Sequence, residues 1–324
     1  MQTIKEIQEL VSRYIDALPY NRQPASLYEP VRYVLSAGGK RIRPVLTLLA
    51  YSLYKDDPEA ALPTASGIET YHNYTLLHDD LMDRAEVRRG RQTVHMKWDD
   101  NTAILSGDSM LVLAYERVAQ CADDRLRDVL ACFTETALQI GEGQQYDMEF
   151  ERRDDVTEEE YIEMIRLKTS VLLACSLKIG GILAGAPHDD LELLYRFGEN
   201  IGLAFQLQDD YLDVYGDERV FGKAIGGDIC NNKKTFMLIN AMRLAEGDDR
   251  AQLDRWLAVS DTNNKAKIEA VTAIYNRLGV DRMAMAKIEQ YYDRAEGYLE
   301  RLAVDESRKA VLREYAQTMM HRNS

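Results

Sequence analysis

Proline nearly disappears from this chain after residue 63. Six of its seven prolines are Pro19, Pro24, Pro30, Pro44, Pro58 and Pro63, and Pro187 is the last. Proline lacks a backbone N–H and its ring clashes with the preceding turn, so it breaks helix interiors. Most of the 324 residues are therefore free to build long helices. Strand signals are weak, with no alternating run of Val, Ile and Thr closed by a hairpin turn. The expected fold class is all-α. Ile4, Ile7, Val11, Tyr14 and Leu18 recur at helical spacing. A second helix ends at Gly38-Gly39, and Lys40-Arg41-Ile42-Arg43-Pro44 opens a third, with proline in the first turn where it is tolerated. Further helices are predicted over 64–83, 103–120, 124–150, 157–185, 190–215 and 233–246, and less distinctly on to 320. No linker or composition shift divides the chain, so residues 1–324 read as a single domain.

Two acidic clusters stand out in this helical pattern: Asp79-Asp80-Leu81-Met82-Asp83 and Asp209-Asp210-Tyr211-Leu212-Asp213. Residues i and i+4 share a helix face, so Asp79 with Asp83, and Asp209 with Asp213, can each hold one hard cation. Mg²⁺ takes one or two carboxylates and completes its shell with water and phosphate oxygens. Asp-Asp occurs at eight places, and elsewhere it suits a solvated loop or helix start. Only the pairs at 79 and 209 carry a third Asp four residues after the first, and both follow apolar runs. Carboxylates in such surroundings are costly without counter-charge. Two opposed copies would bind a diphosphate through shared metal.

A net charge of −14 excludes a general nucleic-acid role. Basic residues nonetheless cluster at Lys40, Arg41 and Arg43, at Arg84, Arg88, Arg89 and Arg91, and at Lys233 and Lys234. Such islands suit small polyanions, or else a solvated face. Lys40 and Arg43 lie on one face of a helix start, where backbone N–H groups attract anions. His72 precedes Asp79 by two turns and shares its face. Cys121, Cys132, Cys175 and Cys230 have no metal spacing and read as reduced thiols of a cytoplasmic protein. The N-terminus reads as an amphipathic helix rather than a signal peptide. Ser170–Ala186, the most apolar stretch, carries Lys178 and several glycines, so it reads as a core helix without stable membrane insertion.

Taken together, these residues resemble the trans-isoprenyl diphosphate synthases, or polyprenyl synthetases, along nearly the whole chain. The matching blocks are Gly38 to Pro44, His78 to Asp83 running into Arg88-Arg89-Gly90, Lys168-Thr169, Phe205 to Asp213, Gly222-Lys223 with Gly227-Asp228, and Lys233-Lys234-Thr235. Asn232 stands where the family often has glycine. The resemblance implies an isoprenoid synthase fold, a bundle or barrel of long helices around a deep cavity, in a homodimer. It implies three Mg²⁺ held by Asp79, Asp83 and Asp209, with Asp80 and Asp213 as further candidates. By position, Lys40, Arg43, His72 and Arg89 would hold isopentenyl diphosphate. Arg88, Lys168, Lys223 and Lys233 would hold the allylic diphosphate, with Thr169 and Gln206 near its reacting carbons. Asp79, Asp80, Asp83, Lys168, Asp209 and Lys223 form the implied catalytic set.

The implied reaction is 1'-4 head-to-tail elongation, in which an allylic C–O bond breaks heterolytically and diphosphate leaves. Tyr74 and Thr75, five and four residues before Asp79, are the candidates that limit chain length. One aromatic there, with no insertion in the first cluster, resembles enzymes making C20 geranylgeranyl diphosphate, with C15 farnesyl diphosphate next. A class I terpene cyclase shares the first cluster, and an HD-type phosphohydrolase would use His72 and His78-Asp79. An inactive partner subunit of a prenyl synthase is the non-enzyme alternative.

Overall fold

A computed structural model describes residues 2–216, 225–259 and 265–320. Among them the chain is almost wholly helical, and it divides into two compact units.

The first unit comprises Met1–Thr134, Ser176–Glu192 and Ala303–Leu312. It opens with α1 (Ile4–Asp16), whose N-terminus is closed by a Thr3–Glu6 capping box that satisfies two otherwise orphaned N–H groups. Then come α2 (Ala25–Leu35), α3 (Ile42–Ser52), a 3₁₀ turn at Pro58–Ala61, and α4 (Leu62–Met82). From Thr64 to Tyr71 every residue of α4 is buried, so the helix runs through the unit rather than along its surface. Its buried polar groups are satisfied locally or by neighbours: Thr70 donates to Ser66 O at 2.8 Å, and Glu69 receives Arg41 at 2.7 Å. A short hairpin follows, β1 (Val87–Arg88) and β2 (Arg91–Gln92), then α5 (Val94–Lys97) and α6 (Asp100–Val118). Gly67 lets α4 and α6 touch, since a Cβ there would sit 2.7 Å from the Val118 backbone nitrogen. Val31, Leu35, Leu77, Val94, Met110 and Leu113 form the core beside the acidic end of α4.

The second unit comprises Glu135–Cys175, Leu193–Leu302 and Arg313–Ser324. Residues 135–150 of α7 (Asp123–Phe150), α8 (Glu158–Ile165), residues 171–175 of α9 (Val171–Ala184) and residues 193–215 of α10 (His188–Tyr215) supply its first half. The second half is built from α11 (Gly227–Cys230), α12 (Phe236–Leu244), α13 (Gly247–Leu257), α14 (Lys265–Leu278), α15 (Val280–Glu300) and residues 313–320 of α16 (Glu306–Met320). Its core joins Tyr161, Leu203, Leu207, Phe236, Ile274 and Val280. The predicted helix over 157–185 is interrupted by a π-turn at Arg166–Ser170, a distortion with the same residue pattern as the helix around it. Two glycines hold the turn: a Cβ at Gly143 on α7 would lie 2.3 Å from Lys168 N, and one at Gly202 on α10 2.6 Å from Ser170 Cα. One stretch among the described residues, Glu158–Ala184, is long and apolar enough to cross a membrane, and 78% of its apolar window is buried in the protein.

Candidate active site

The first acidic cluster ends α4. Asp79 is half-buried, Asp80 is buried, and Asp83 is the exposed C-cap, still in helical conformation, so Asp79 and Asp83 keep one face. The sequence period gives no sign of the hairpin that follows, and it carries the partner of this cluster. Arg88 donates from Nε to Asp80 at 2.6 Å and from Nη2 to Asp79 at 3.2 Å. Burial pushes the Asp80 carboxyl above its ordinary range, and Arg88 offsets part of that.

The next residue of the hairpin, Arg89, belongs to a cluster of cations. Gly38, Gly39 and Arg41 all adopt positive φ, at 71°, 126° and 48°, and lead into α3. Arg41 is buried and paired with Glu69, which also accepts from Asn73 at 2.9 Å. Arg89 donates to Gly38 O and leaves no room for a side chain at Gly39. Arg43 has a buried Nε with no partner among the described residues. Burial above all, with Arg89 nearby, pulls the Arg43 guanidinium down to about 10, while Glu69 supports its charge. His72 is driven well below its usual range by burial and then by Arg43, Arg89, Arg88 and Arg41, so the ring is neutral at pH 7. Three arginines and a neutral imidazole around one carboxylate make a positive pocket, buried at Arg41 and the Arg43 Nε and open at Arg89, which an anion would complete. Lys40 is exposed at its edge.

Below Asp79, the Tyr74 ring meets His78 edge-on at 4.9 Å and Tyr71 at 5.4 Å. The Thr75 hydroxyl is turned back to His72 O at 2.8 Å.

In the second unit, Asp209 and Asp213 are half-buried and Asp210 is buried on α10. Sequence reasoning missed Tyr161 and Asp147, and it quoted Asp228 in a matching block without giving it a role. Tyr161 donates its hydroxyl to Asp210, Asp228 lies beside both Asp210 and Asp213, and Asp147 receives Lys168 at 2.6 Å. Asp147 sits one turn after Gly143, on the α7 face that meets the π-turn; that spacing was the available signal. Gln206 donates to Asp210 at 3.2 Å and accepts from Thr169 at 3.2 Å, so the two polar candidates are joined. Asn232 takes φ 53°, the conformation that favours glycine, and its side chain is locked between Leu257 O and Lys267. Lys267, also missed, is fully buried and spends its donors on Asn232, Cys230 O and Val259 O, fixing the turn that presents Lys233. Lys223 lies outside the described residues. No group of three His, Cys, Asp or Glu among the described residues is placed to hold a metal by itself. Each acidic cluster offers two carboxylates one turn apart, the number that leaves Mg²⁺ open to phosphate oxygens.

Burial and then Asp228 push Asp210 up to about 7 and Asp213 up to about 6. A carboxyl raised on folding binds its proton more tightly in the folded state. Its contribution is therefore favourable below the ordinary carboxylate range and is lost as pH rises toward 7. The metal-free protein is expected to unfold at lower temperature at about pH 8 than at about pH 5. Asp228→Asn should flatten that slope. Circular-dichroism melts in chelator across this range check it, and equal slopes for the two proteins would contradict it.

Comparison with known proteins points one way. A family model described as polyprenyl synthetase matches residues 24–275. Geranylgeranyl diphosphate synthase of Methanosarcina mazei is 43% identical over 241 residues, 74% of each chain. Geranylfarnesyl diphosphate synthase of Aeropyrum pernix is 35% identical over 314 residues, 94% of this chain and 96% of that one. A crystal structure of a geranylgeranyl pyrophosphate synthase superposes with a TM-score of 0.93 at 40% identity, covering 100% of both chains.

Proposed function

Because the chain belongs to the polyprenyl synthetase family and is a trans-prenyltransferase of isoprenoid biosynthesis, we propose that it condenses isopentenyl diphosphate with allylic diphosphates and stops at C20, geranylgeranyl diphosphate. The observation that carries the substrate assignment is the cationic cluster of Arg43, Arg89 and neutral His72, with the Arg43 Nε buried and lacking a hydrogen-bond partner among the described residues. It suits a diphosphate that arrives without metal, with Lys40 at the rim. Neutral His72 donates one N–H to a phosphate oxygen without adding charge to an already cationic pocket.

Asp79, Asp83 and Asp209 would hold Mg²⁺, with Asp80 and Asp213 in support. Three ions would neutralise the charge that develops on the departing allylic diphosphate. Arg88, Lys168, Lys223 and Lys233 would bind the same diphosphate, and their positive charges would stabilise the anion as the C–O bond breaks. Asp147 and Asp80 keep Lys168 and Arg88 aimed until substrate arrives. The hydrogen-bonded Thr169 and Gln206 lie beside the allylic carbons and place two oxygen dipoles near the cation. The isopentenyl double bond attacks that cation, and the released diphosphate takes the proton. Nothing in this sequence requires a protein nucleophile.

Tyr74 supports C20. Incubating the enzyme with labelled isopentenyl diphosphate, each allylic primer and Mg²⁺, then chromatographing the products, tests the whole assignment. A C20 chain is expected; C15 or C25 would overturn the length, and a cyclised hydrocarbon the reaction.

The protein is also proposed to be a cytoplasmic homodimer. None of the four cysteines, all among the described residues, is in a disulfide. On α6, Leu105 and Val112 are 58% and 69% exposed along one face, beside a groove of about 720 Å³ that Tyr28, Arg22 and Glu116 also line. A second copy is the occupant that suits an apolar stripe rimmed by both charges. Val112→Asp should give a monomer in light scattering; a dimer unchanged at micromolar concentration would contradict this interface.

A further inference from the structure

The four arginines between residues 84 and 91 do different work. Arg84 pairs with Asp100 at 2.8 Å, Arg88 binds Asp79 and Asp80, and Arg89 reaches Gly38 O. Arg91 turns to α2 instead. Its guanidinium carbon lies 3.9 Å from the Tyr33 ring centroid, and its Nη1 donates to Ser36 Oγ at 3.1 Å. The same ring receives Lys97 Nζ at 4.0 Å and packs edge-on against Trp98 at 5.2 Å. The Tyr33 hydroxyl donates to Gln92 O at 2.8 Å. One half-buried tyrosine thus touches the second strand of the hairpin and the short helix after it.

The hairpin needs such an anchor. Its strands are two residues each, pairing Val87 with Gln92 and Arg88 with Arg91, and Arg89 and Gly90 form the turn at positive φ. So short a ladder does not stand alone. Arg88 is one cross-strand step from Arg91, and Arg89 is the next residue along the chain. Any rocking of β2 on α2 therefore moves both substrate-facing guanidinium groups together.

We propose that Tyr33 is a positioning residue for both diphosphate subsites, clamping the hairpin through Arg91, Lys97 and Gln92 so that Arg88 and Arg89 are preset before substrate arrives. This rests on the reading of Arg88 and Arg89 as diphosphate ligands given above. Preorganisation of this kind lowers the ordering cost of binding, so it belongs to KM more than to the bond-breaking step.

Steady-state kinetics with both substrates test it. Tyr33→Leu removes ring and hydroxyl, and should raise KM for isopentenyl diphosphate and for the allylic diphosphate by about tenfold each, the scale of two cation–π interactions removed at once, with kcat much less affected. Tyr33→Phe keeps the ring and should restore most of the loss. Arg91→Met should reproduce the Leu variant; unfolding midpoints verify that each variant is folded, and the Arg91 variant carries the test if Tyr33→Leu is not. In an Arg89→Met background, Tyr33→Leu should add nothing further to KM for isopentenyl diphosphate but still raise the allylic KM. Wild-type KM values in folded Tyr33→Leu, or a full additive effect on top of Arg89→Met, would overturn the clamp. If Arg89→Met itself leaves KM for isopentenyl diphosphate unchanged, the subsite assignment fails and the clamp's functional role falls with it.

Discussion

Asp79→Ala and Asp209→Ala should each lower kcat by about a thousandfold while the protein stays folded, the scale seen when one group aimed at developing charge is removed. The two substitutions act through different surroundings. Asp79 is half-buried and shares Arg88 with Asp80, so its loss leaves Arg88 with one carboxylate. Asp209 lies next to Asp210, whose burial and proximity to Asp228 already oppose ionisation. In chelator, Asp209→Ala should keep an unfolding midpoint close to that of the wild type. Loss of activity with retained stability is the signature of a group kept for the reaction rather than for the fold. Turnover by either variant within tenfold of wild type in Mg²⁺ would remove the paired-cluster site, and a large drop in unfolding midpoint for either variant would mean that the carboxylate serves the fold.

What could be read from the sequence follows from range. Helices are local, and with prolines confined to the first 63 residues apart from Pro187, the apolar period alone places most of them. The predicted span 103–120 appears as Asp100–Val118, and 124–150 as Asp123–Phe150. The i, i+4 carboxylates were legible for the same reason, as was the face shared by His72 and Asp79. The hairpin at 87–92 was not, because two-residue strands have no period to detect. The π-turn that presents Lys168 and Thr169 was hidden too; it is set by the close approach of Gly143 and Gly202, residues distant in sequence. Tyr161 and Asp210 meet across 49 residues and Lys267 and Asn232 across 35, and nothing local to either residue announces the other. The basic island at 84–91 read from composition as suited to small polyanions or a solvated face, and the resemblance divided Arg88 from Arg89 between two diphosphates; the separate partners of its four arginines are a distinction that backbone geometry makes and composition cannot.

Tyr74→Ala should lengthen the product, and the packing around Tyr74 says by how much. Tyr74 is five residues before Asp79, about 7.5 Å further along the axis of α4, and its ring is the first aromatic met on that route after His78. Removing it opens the space of a whole side chain. One turn deeper stands Tyr71, 3% exposed, whose ring meets Phe133 edge-on at 5.2 Å, and Phe133 in turn meets Tyr115 at 5.0 Å. Interlocked aromatic rings of this kind resist displacement. Tyr71 should therefore stop the chain where Tyr74 no longer does, so the variant is expected to make C25 rather than an open-ended distribution. Tyr71→Ala added to Tyr74→Ala should then release still longer chains, while Tyr74→Phe, which keeps the ring, should still stop at C20. Mass spectrometry of the extracted products decides it. An unchanged C20 product from Tyr74→Ala would place the stop elsewhere, and a broad mixture from that single variant would mean that the aromatic layer behind Tyr74 is no barrier.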